Sequence, residues 1–339
     1  MIASAGASTE FVDIQVPGWA WVALLALILA LLLIDLLVIH RVPHEVSTRE
    51  AAVESAVWVG IGLSFTFVMW AAFGGGAAGE YLSGYLIEES LSIDNVFVWA
   101  LILSFFAVPR MYQHRVLFWG IFGALVLRAT FIFAGIALIQ RFEFVLLFFG
   151  AFLVYTAVKL VRSTDEVVDP EHSRLLKVVR RVVPSTTEYD GAKLFTRLDG
   201  RRLATPLFAV LLLVEATDVV FAVDSVPAVL AVSREQFIVF SSNAFAILGL
   251  RALYFLLAGM HARFSYLQQG LAVILAFVGV KMILSRWFHI ETWISLLVIV
   301  LVLAISILAS LQAERRHDTI DIEDTGDIGD EPPPPFQER

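Results

Sequence analysis

The chain contains no cysteine among its 339 residues, and only 17% of them are charged. The lack of cysteine excludes disulfides, thiolate metal sites and cysteine nucleophiles. The scarcity of charge accompanies 59% hydrophobic residues and a mean hydropathy of +0.81. Soluble domains are about a quarter charged, so a soluble fold, a disordered chain or a nucleic-acid binder is disfavoured. No basic segment precedes the first apolar run, and no cleaved signal peptide is expected.

Long apolar runs dominate the sequence instead. A helix of about 20 apolar residues crosses the hydrocarbon core of a bilayer. The runs that meet this length are 19–39, 51–73, 80–106, 114–137, 143–161, 205–231, 236–257, 264–285 and 290–311. The sequence therefore predicts an all-α integral membrane protein with about nine transmembrane helices.

The distribution of basic residues between the apolar runs predicts the orientation. If successive connections alternate between the two sides, sixteen Lys and Arg fall on one side and three on the other, with Arg339 at the far end of the tail left aside. Basic residues accumulate on the cytoplasmic side. We therefore expect a multi-pass protein of the inner (plasma) membrane with its N-terminus outside and its C-terminus in the cytoplasm.

Two polar segments lie outside the predicted spans. In the basic loop 162–204, the segment Arg174–Val183 has the spacing of a short helix lying on an anionic membrane surface. Further along, Asp199-Gly200 between alternating residues predicts a two-residue β-hairpin. The acidic tail with its run of prolines predicts disorder.

An internal repeat organises the spans. Residues 151–159 match 273–281, 127–129 match 250–252, and 94–98 match 218–222, at offsets of 122 to 124. The unit contains three helices, and an odd number of spans inverts the second copy. Inverted repeats are typical of transporters that bind their cargo near the midplane.

These observations divide the chain into seven segments. They are an external N-terminus 1–18, two helices 19–73, a first three-helix repeat 80–161, the cytoplasmic loop 162–204, a second three-helix repeat 205–285, a last helix 286–312, and a disordered acidic cytoplasmic tail 313–339.

The predicted spans carry more acids than bases. Beyond the first two residues of each run, the acids are Asp35, Glu54, Glu88, Glu89, Asp94, Glu215, Asp218 and Asp224, and the bases are Arg128, Lys159, Arg251 and Lys281. A charge at the bilayer centre costs about 2.5–3.5 kcal/mol even on lenient insertion scales. The surplus carboxylates are therefore either protonated or balanced by a bound cation.

The strongest cluster pairs Glu88–Asn95 in the third span with Glu215–Asp224 in the sixth. Asp94 and Asp218 each lie about 14 residues, or roughly 20 Å, into their spans. Arg128 and Arg251 are interpreted as supporting ion-pair partners, and Asp35 either lines a vestibule or pairs with another helix. The ligand set contains only oxygen, which favours hard divalent cations such as Mn²⁺, Ca²⁺ or Mg²⁺.

The two acidic motifs closely resemble those of the TerC family, named for tellurium resistance. The resemblance covers residues 15–312 and rests on Glu88–Phe97 and Glu215–Ala228. It implies kinship with Alx-type proteins and the LysE superfamily of exporters, and a role in Mn²⁺ efflux. It also implies that the metal-binding residues are Asp35, Glu89, Asp94, Asn95, Glu215, Asp218 and Asp224.

Several functions follow as alternatives. The leading hypothesis is a Mn²⁺ exporter with its site between the third and sixth spans, with the metal as cargo and no cofactor. The second is a membrane scaffold that assists maturation, metalation or insertion of exported proteins, with secretion proteins as partners. An organic-cation or amino-acid exporter is a third, implied by the kinship with the LysE exporters. An intramembrane aspartyl protease is disfavoured because the chain lacks the Gly-x-Gly-Asp motif, so we expect no enzyme. The expected partners are a metal ion and membrane lipid, without nucleic acid.

Overall fold

The structure is a computed structural model that describes most of the chain. The described residues are 11–39, 46–142, 144–162, 190–191, 193–198, 201–257, 265–285 and 290–325. The predicted surface helix at 174–183 and the turn residues 199–200 lie outside these ranges.

The described residues form eight helices and one small sheet. The helices are α1 (Gly18–Ile34, continued by a π-helical segment Asp35–Ile39), α2 (Thr48–Phe105), α3 (Arg110–Arg141), α4 (Phe144–Arg162), α5 (Pro206–Leu230), α6 (Gln236–Leu257), α7 (Ser265–Leu284) and α8 (Thr292–Thr325). Strands β1 (Phe195–Leu198) and β2 (Arg201–Ala204) pair antiparallel.

The start of α2 follows from a capping box. The Ser47 hydroxyl accepts a hydrogen bond from the Glu50 N–H at 3.3 Å, and the Glu50 carboxylate accepts one from the Ser47 N–H at 3.4 Å. These bonds satisfy backbone groups that a helix terminus leaves without a partner. At the start of α5, Pro206 occupies the first turn, where its missing N–H costs nothing.

Helix α2 reverses direction at Gly74, where φ is +89°. The Tyr81 hydroxyl donates to the Gly62 carbonyl at 2.9 Å, and the rings of Phe65 and Tyr81 lie 5.3 Å apart. In a straight helix, nineteen residues would separate Tyr81 from Gly62 by roughly 28 Å. The two parts of α2 therefore fold back on each other as an antiparallel pair.

Seven helices of the described chain are long and apolar enough to cross a membrane, with α2 counted once. In α7 only the shorter stretch Gln269–Leu284 is apolar. This establishes an all-α protein of the membrane-spanning kind, while the count of nine spans and the inverted repeat stay predictions.

Helices α4 and α7 cross backbone to backbone. A Cβ atom on Gly150 would lie 2.8 Å from the Gly279 carbonyl oxygen and 3.1 Å from the Ile283 nitrogen, and one on Gly279 would lie 3.0 Å from the Val154 nitrogen. Residue numbers rise along one helix as they fall along the other, so the two helices run antiparallel. This direction agrees with the opposite orientation expected of the two predicted repeats.

Helix α6 is the central element. In its most apolar stretch of 18 residues, 94% of the residues are buried, against 17–39% in the other candidate spans. The outer helices expose large apolar side chains such as Phe67, Trp70 and Ile305. This pattern suits a bundle whose outer face meets lipid rather than water.

Two predictions concern the polar segments: the β-hairpin and the C-terminal tail. The predicted hairpin is confirmed, with Leu198 opposite Arg201 in the antiparallel register. Helix α8 continues to Thr325, inside the segment 313–339 for which the sequence predicts disorder. The physical reason is that the stretch 313–325 contains no proline or glycine, and the helix already formed in the membrane extends into it.

Candidate functional site

Three charged side chains from three helices meet in the interior of the bundle. Arg128 of α3 lies between Glu88 of α2 and Asp218 of α5, and each of the three is at most 1% exposed. Its Nε contacts the two Asp218 oxygens at 3.2 and 3.3 Å, and its Nη2 contacts Oδ1 at 3.0 Å. Its Nη1 forms the ion pair with Glu88 and donates to the Ser225 hydroxyl at 3.2 Å. We call Glu88, Arg128 and Asp218 the central triad.

The helix period explains the geometry on α5. Asp218 and Ser225 are seven residues apart, which places both on one face of the helix. That face is turned to α3, and the guanidinium fork reaches both of its polar groups. Arginine suits this position because its planar donors serve several acceptors at once.

Half-buried acids flank the central triad. Glu215 lies one turn before Asp218, with its carboxylate against Gly123 of α3, where a Cβ atom would collide with it. Asp224 accepts a hydrogen bond from the Thr156 hydroxyl of α4 at 3.1 Å and lies near Lys159. Glu89 lies beside the phenol of Tyr85, one turn earlier on α2.

A second buried ion pair lies apart from the central triad. The Asp35 carboxylate and the Arg251 guanidinium meet in a bidentate contact, and their side chains are 7% and 2% exposed. Asp35 begins the π-helical segment that extends α1. Arg251 occupies the buried helix α6. This pair joins the first helix of the chain to the centre of the bundle.

The predicted metal residues fall into three groups. Asp218, Glu215 and Asp224 share α5, and Glu89 lies with the buried Asn95 on α2. Asp35 belongs to the separate pair with Arg251. The backbone of Asp94 lies within α2, and its side chain lies outside the described part of the structure. Among the residues that the structure describes, no three His, Asp or Glu side chains are arranged as a metal site.

Sequence reasoning missed two features of this interior. Glu88 was placed in the acidic cluster but not among the binding residues, and it is Glu88 rather than Glu89 that meets Arg128. Glu80, also on α2 and 1% exposed, was not counted among the intramembrane acids. Its position six residues after the Gly74 turn was the available signal.

These elements define an integral membrane protein whose helices enclose a buried network of carboxylates and arginines. A profile of the integral membrane protein TerC family matches residues 73–318. The chain belongs to this family, as its two acidic motifs had indicated.

Curated relatives extend the match beyond the profile. The chain is 47% identical to the uncharacterized membrane protein STKORF319 of Myxococcus xanthus, over 92% of this chain and 97% of that protein. It is 44% identical to Escherichia coli K12 Alx, whose name proposes a membrane-bound redox modulator, over 82% of this chain and 89% of Alx. It is 45% identical to the thylakoid membrane protein TERC of Arabidopsis thaliana, over 76% of this chain and 67% of that protein. No solved structure matches the chain.

Proposed function

We propose that this protein is a transporter of a hard divalent cation, with Mn²⁺ export across the inner membrane as the leading case. The observation that carries the proposal is the excess of buried negative charge at the central triad. Two carboxylates face one guanidinium there, and Glu215 adds a third carboxylate one turn away. A buried charge without compensation is costly, and a divalent cation supplies the missing positive charge.

The donor set supports the choice of ion. The groups around the triad are carboxylate oxygens and the hydroxyls of Ser225 and Thr156. Oxygen ligands of this kind suit Mn²⁺, Ca²⁺ and Mg²⁺. In this proposal Arg128 is a placeholder that holds Glu88 and Asp218 together when no cation is bound.

A transport cycle follows from the exchange of these two cations. The metal ion displaces Arg128 from the carboxylates, and the bundle then opens to the opposite side. Antiparallel packing of α4 on α7 supports a rocking motion of two inverted halves. The protein acts on its cargo by binding alone, with no catalytic residue.

Flux measurements in proteoliposomes test this function. Vesicles loaded with a Mn²⁺-sensitive dye would compare the wild type with Asp218→Asn and Asp94→Asn. We expect both substitutions to abolish most of the flux, because each removes a negative charge from the proposed cation path.

The matched control is Asp190→Asn, which makes the same chemical change in the exposed hairpin region. This variant should retain the flux of the wild type. Equal flux through all variants, or none through the wild type with Mn²⁺, Ca²⁺ or Mg²⁺, would reject the transport proposal.

A membrane scaffold for exported proteins is the second candidate. It is favoured by the finding that Glu88, Asp218 and Asp35 contact arginines, and that the described part of the chain holds no three-ligand metal group. The central triad would then be purely structural. Capture of secretion proteins by the wild type, preserved in Asp218→Asn, would support the scaffold over the transporter.

The name of Alx proposes a redox role, and in this chain such a role would be indirect. The chain has no cysteine, so its own side chains offer no thiol for exchange. A change in the supply of a redox-active metal ion is the route by which a transporter of this kind would influence redox balance.

A further inference from the structure

A second buried carboxylate lies near one end of the bundle, away from the central triad. Glu80 of α2 is 1% exposed, and its Oε1 accepts a hydrogen bond from the Val12 N–H at 2.8 Å. The other oxygen, Oε2, is buried and makes no hydrogen bond of normal geometry among the described residues, although the Ser233 hydroxyl lies close to this carboxylate. An acceptor in that state is costly unless a ligand satisfies it.

A lysine and a serine adjoin this carboxylate. Lys281 of α7 is 6% exposed, lies near Glu80, and donates to the Ser295 hydroxyl at 2.8 Å. Ser233, in the turn between α5 and α6, is fully buried and interacts with the Glu80 side chain. A carboxylate with a basic neighbour repeats the chemistry of the central triad, where Arg128 occupies the position of the cation.

One face of α2 runs from Glu80 to the central triad. Glu80, Gly84 and Glu88 are spaced four residues apart, so they share one face of α2. Gly84 opposes the Ser242 hydroxyl of α6, whose oxygen would lie 2.9 Å from a Cβ at this position. The face spans about 12 Å from Glu80 to Glu88 at the rise of an α-helix.

The segment 11–16 covers this end of the face. Its residues alternate as in a strand: Val12, Ile14 and Val16 are half-buried and pack on the core, whereas Asp13 and Gln15 are exposed. This period of two is the pattern of an extended chain with one side against the protein.

Polar contacts hold the segment 11–16 against α2 on one side and against the α5–α6 turn on the other. The Val12 N–H donates to Glu80 and the Ile14 N–H donates to the Glu235 carboxylate. The Phe11 ring lies 4.7 Å from the guanidinium carbon of Arg234. These contacts tie the segment to the α5–α6 turn and to α2.

We propose that Glu80 is an outer binding station for the transported divalent cation and that residues 11–16 are the lid that closes it. The station lies between the central triad and this end of the bundle, so a cation passing along the polar face would reach it after leaving Glu88. The inference rests on the proposed function for the identity of the ion, while the lid rests on the contacts alone.

Site-directed labelling tests the lid without a transport assay. Because the chain has no native cysteine, Ser233→Cys gives a single buried thiol beside Glu80. Gly76→Leu should displace the lid, since even a Cβ there would lie 2.7 Å from Val12 Cγ2. Gly75→Leu is the matched control, because nothing lies within 4 Å of a Cβ at that position.

We expect Gly76→Leu to raise the rate of maleimide labelling by about tenfold or more, the factor that loss of one hydrogen bond to a charged acceptor gives. Gly75→Leu should leave the rate unchanged. Val12→Pro, which removes the N–H that Glu80 accepts, should act like Gly76→Leu. Equal rates in all backgrounds would overturn the lid.

Added Mn²⁺ tests the station in the same preparation. In the Gly76→Leu background we expect Mn²⁺ to slow labelling of the thiol, and Glu80→Gln to abolish this protection. Protection that persists in Glu80→Gln, or its absence with Glu80 intact, would overturn the station. Failure of flux in proteoliposomes would leave both readouts unaffected, so the two proposals can fail separately.

Discussion

Asp35 and Arg251 are 216 positions apart in the chain, and their side chains form a bidentate ion pair inside the bundle. The pair fixes α1, the first helix, to α6, the most buried one. Both side chains are under a tenth exposed, so water cannot replace either partner. The ion pair therefore holds α1 in place against α6.

Breaking this pair should destabilise the protein. Asp35→Asn removes a carboxylate that the buried Arg251 guanidinium contacts, and breaking a buried ion pair costs about 3–5 kcal/mol. Denaturant unfolding in detergent would measure the change. The double variant Asp35→Asn with Arg251→Gln should cost less than the sum of the two single variants, because the neutral pair buries no lone charge. Strictly additive costs would contradict the assignment.

Gly123→Ala should impair function through Glu215. A Cβ at position 123 would collide with the Glu215 carboxylate, so this acid must leave its present position beside the central triad. We expect lower Mn²⁺ flux with little loss of helix content by circular dichroism. Gly60→Ala is the control, because nothing lies within 4 Å of a Cβ there. If both variants carry Mn²⁺ equally well, Glu215 does not contribute to the cation path.

Replacement of Arg128 should increase the thermal stabilisation that Mn²⁺ gives to the protein. In Arg128→Gln the carboxylates of Glu88 and Asp218 lose their placeholder, and Mn²⁺ becomes their only cation. The variant should be less stable than the wild type without metal and should gain more thermal stability when Mn²⁺ is added. A ligand at 100 times its Kd stabilises by about 2.7 kcal/mol.

The control for this experiment is Arg115→Gln, which changes an exposed arginine of the same helix. Its response to Mn²⁺ should match that of the wild type. A response of Arg128→Gln no greater than that of Arg115→Gln would argue against competition between Arg128 and a cation.

The hairpin region offers a prediction on pH. The Thr196 hydroxyl donates to Asp190 at 2.7 Å and Lys193 donates at 3.0 Å, and these bonds lower the pKa of Asp190 from its usual value. Because the folded pKa is the lower one, the contribution of Asp190 to stability is present above the ordinary aspartate pKa. It is lost as the pH falls through the folded value.

Carbon-detected NMR of labelled aspartate would follow this titration. Thr196→Val should move the pKa of Asp190 back towards its ordinary value, because the largest cause of the shift is removed. An unchanged titration in that variant would refute the role of the hydroxyl.

Much of the fold was predictable from the sequence, because apolar length and turn residues are local signals. The runs 51–73 and 80–106 were separated at a glycine-rich stretch, and the structure places the reversal at Gly74. The Asp199-Gly200 turn predicted the hairpin. The helical continuation to Thr325 was missed because acidic composition was taken to indicate disorder.

Partners inside the bundle were less predictable. The sequence singled out Arg128 and Asp218, but the choice between the neighbours Glu88 and Glu89 depends on the rotation of α2 about its axis. A helical pattern gives relative angles between residues and not the absolute direction of a face. The pairing of Arg251 with Asp35 likewise needed the position of α1 against α6.

The glycines at the crossing of α4 and α7 have a mechanical consequence. Helices usually lock together because side-chain ridges of one fit the grooves of the other. At Gly150 and Gly279 neither helix has a side chain, so the two backbones meet directly instead of through ridges and grooves. Even a methyl group on either glycine would lie 2.8 Å from the carbonyl oxygen of the other, so an alanine at either position would force the two helices apart.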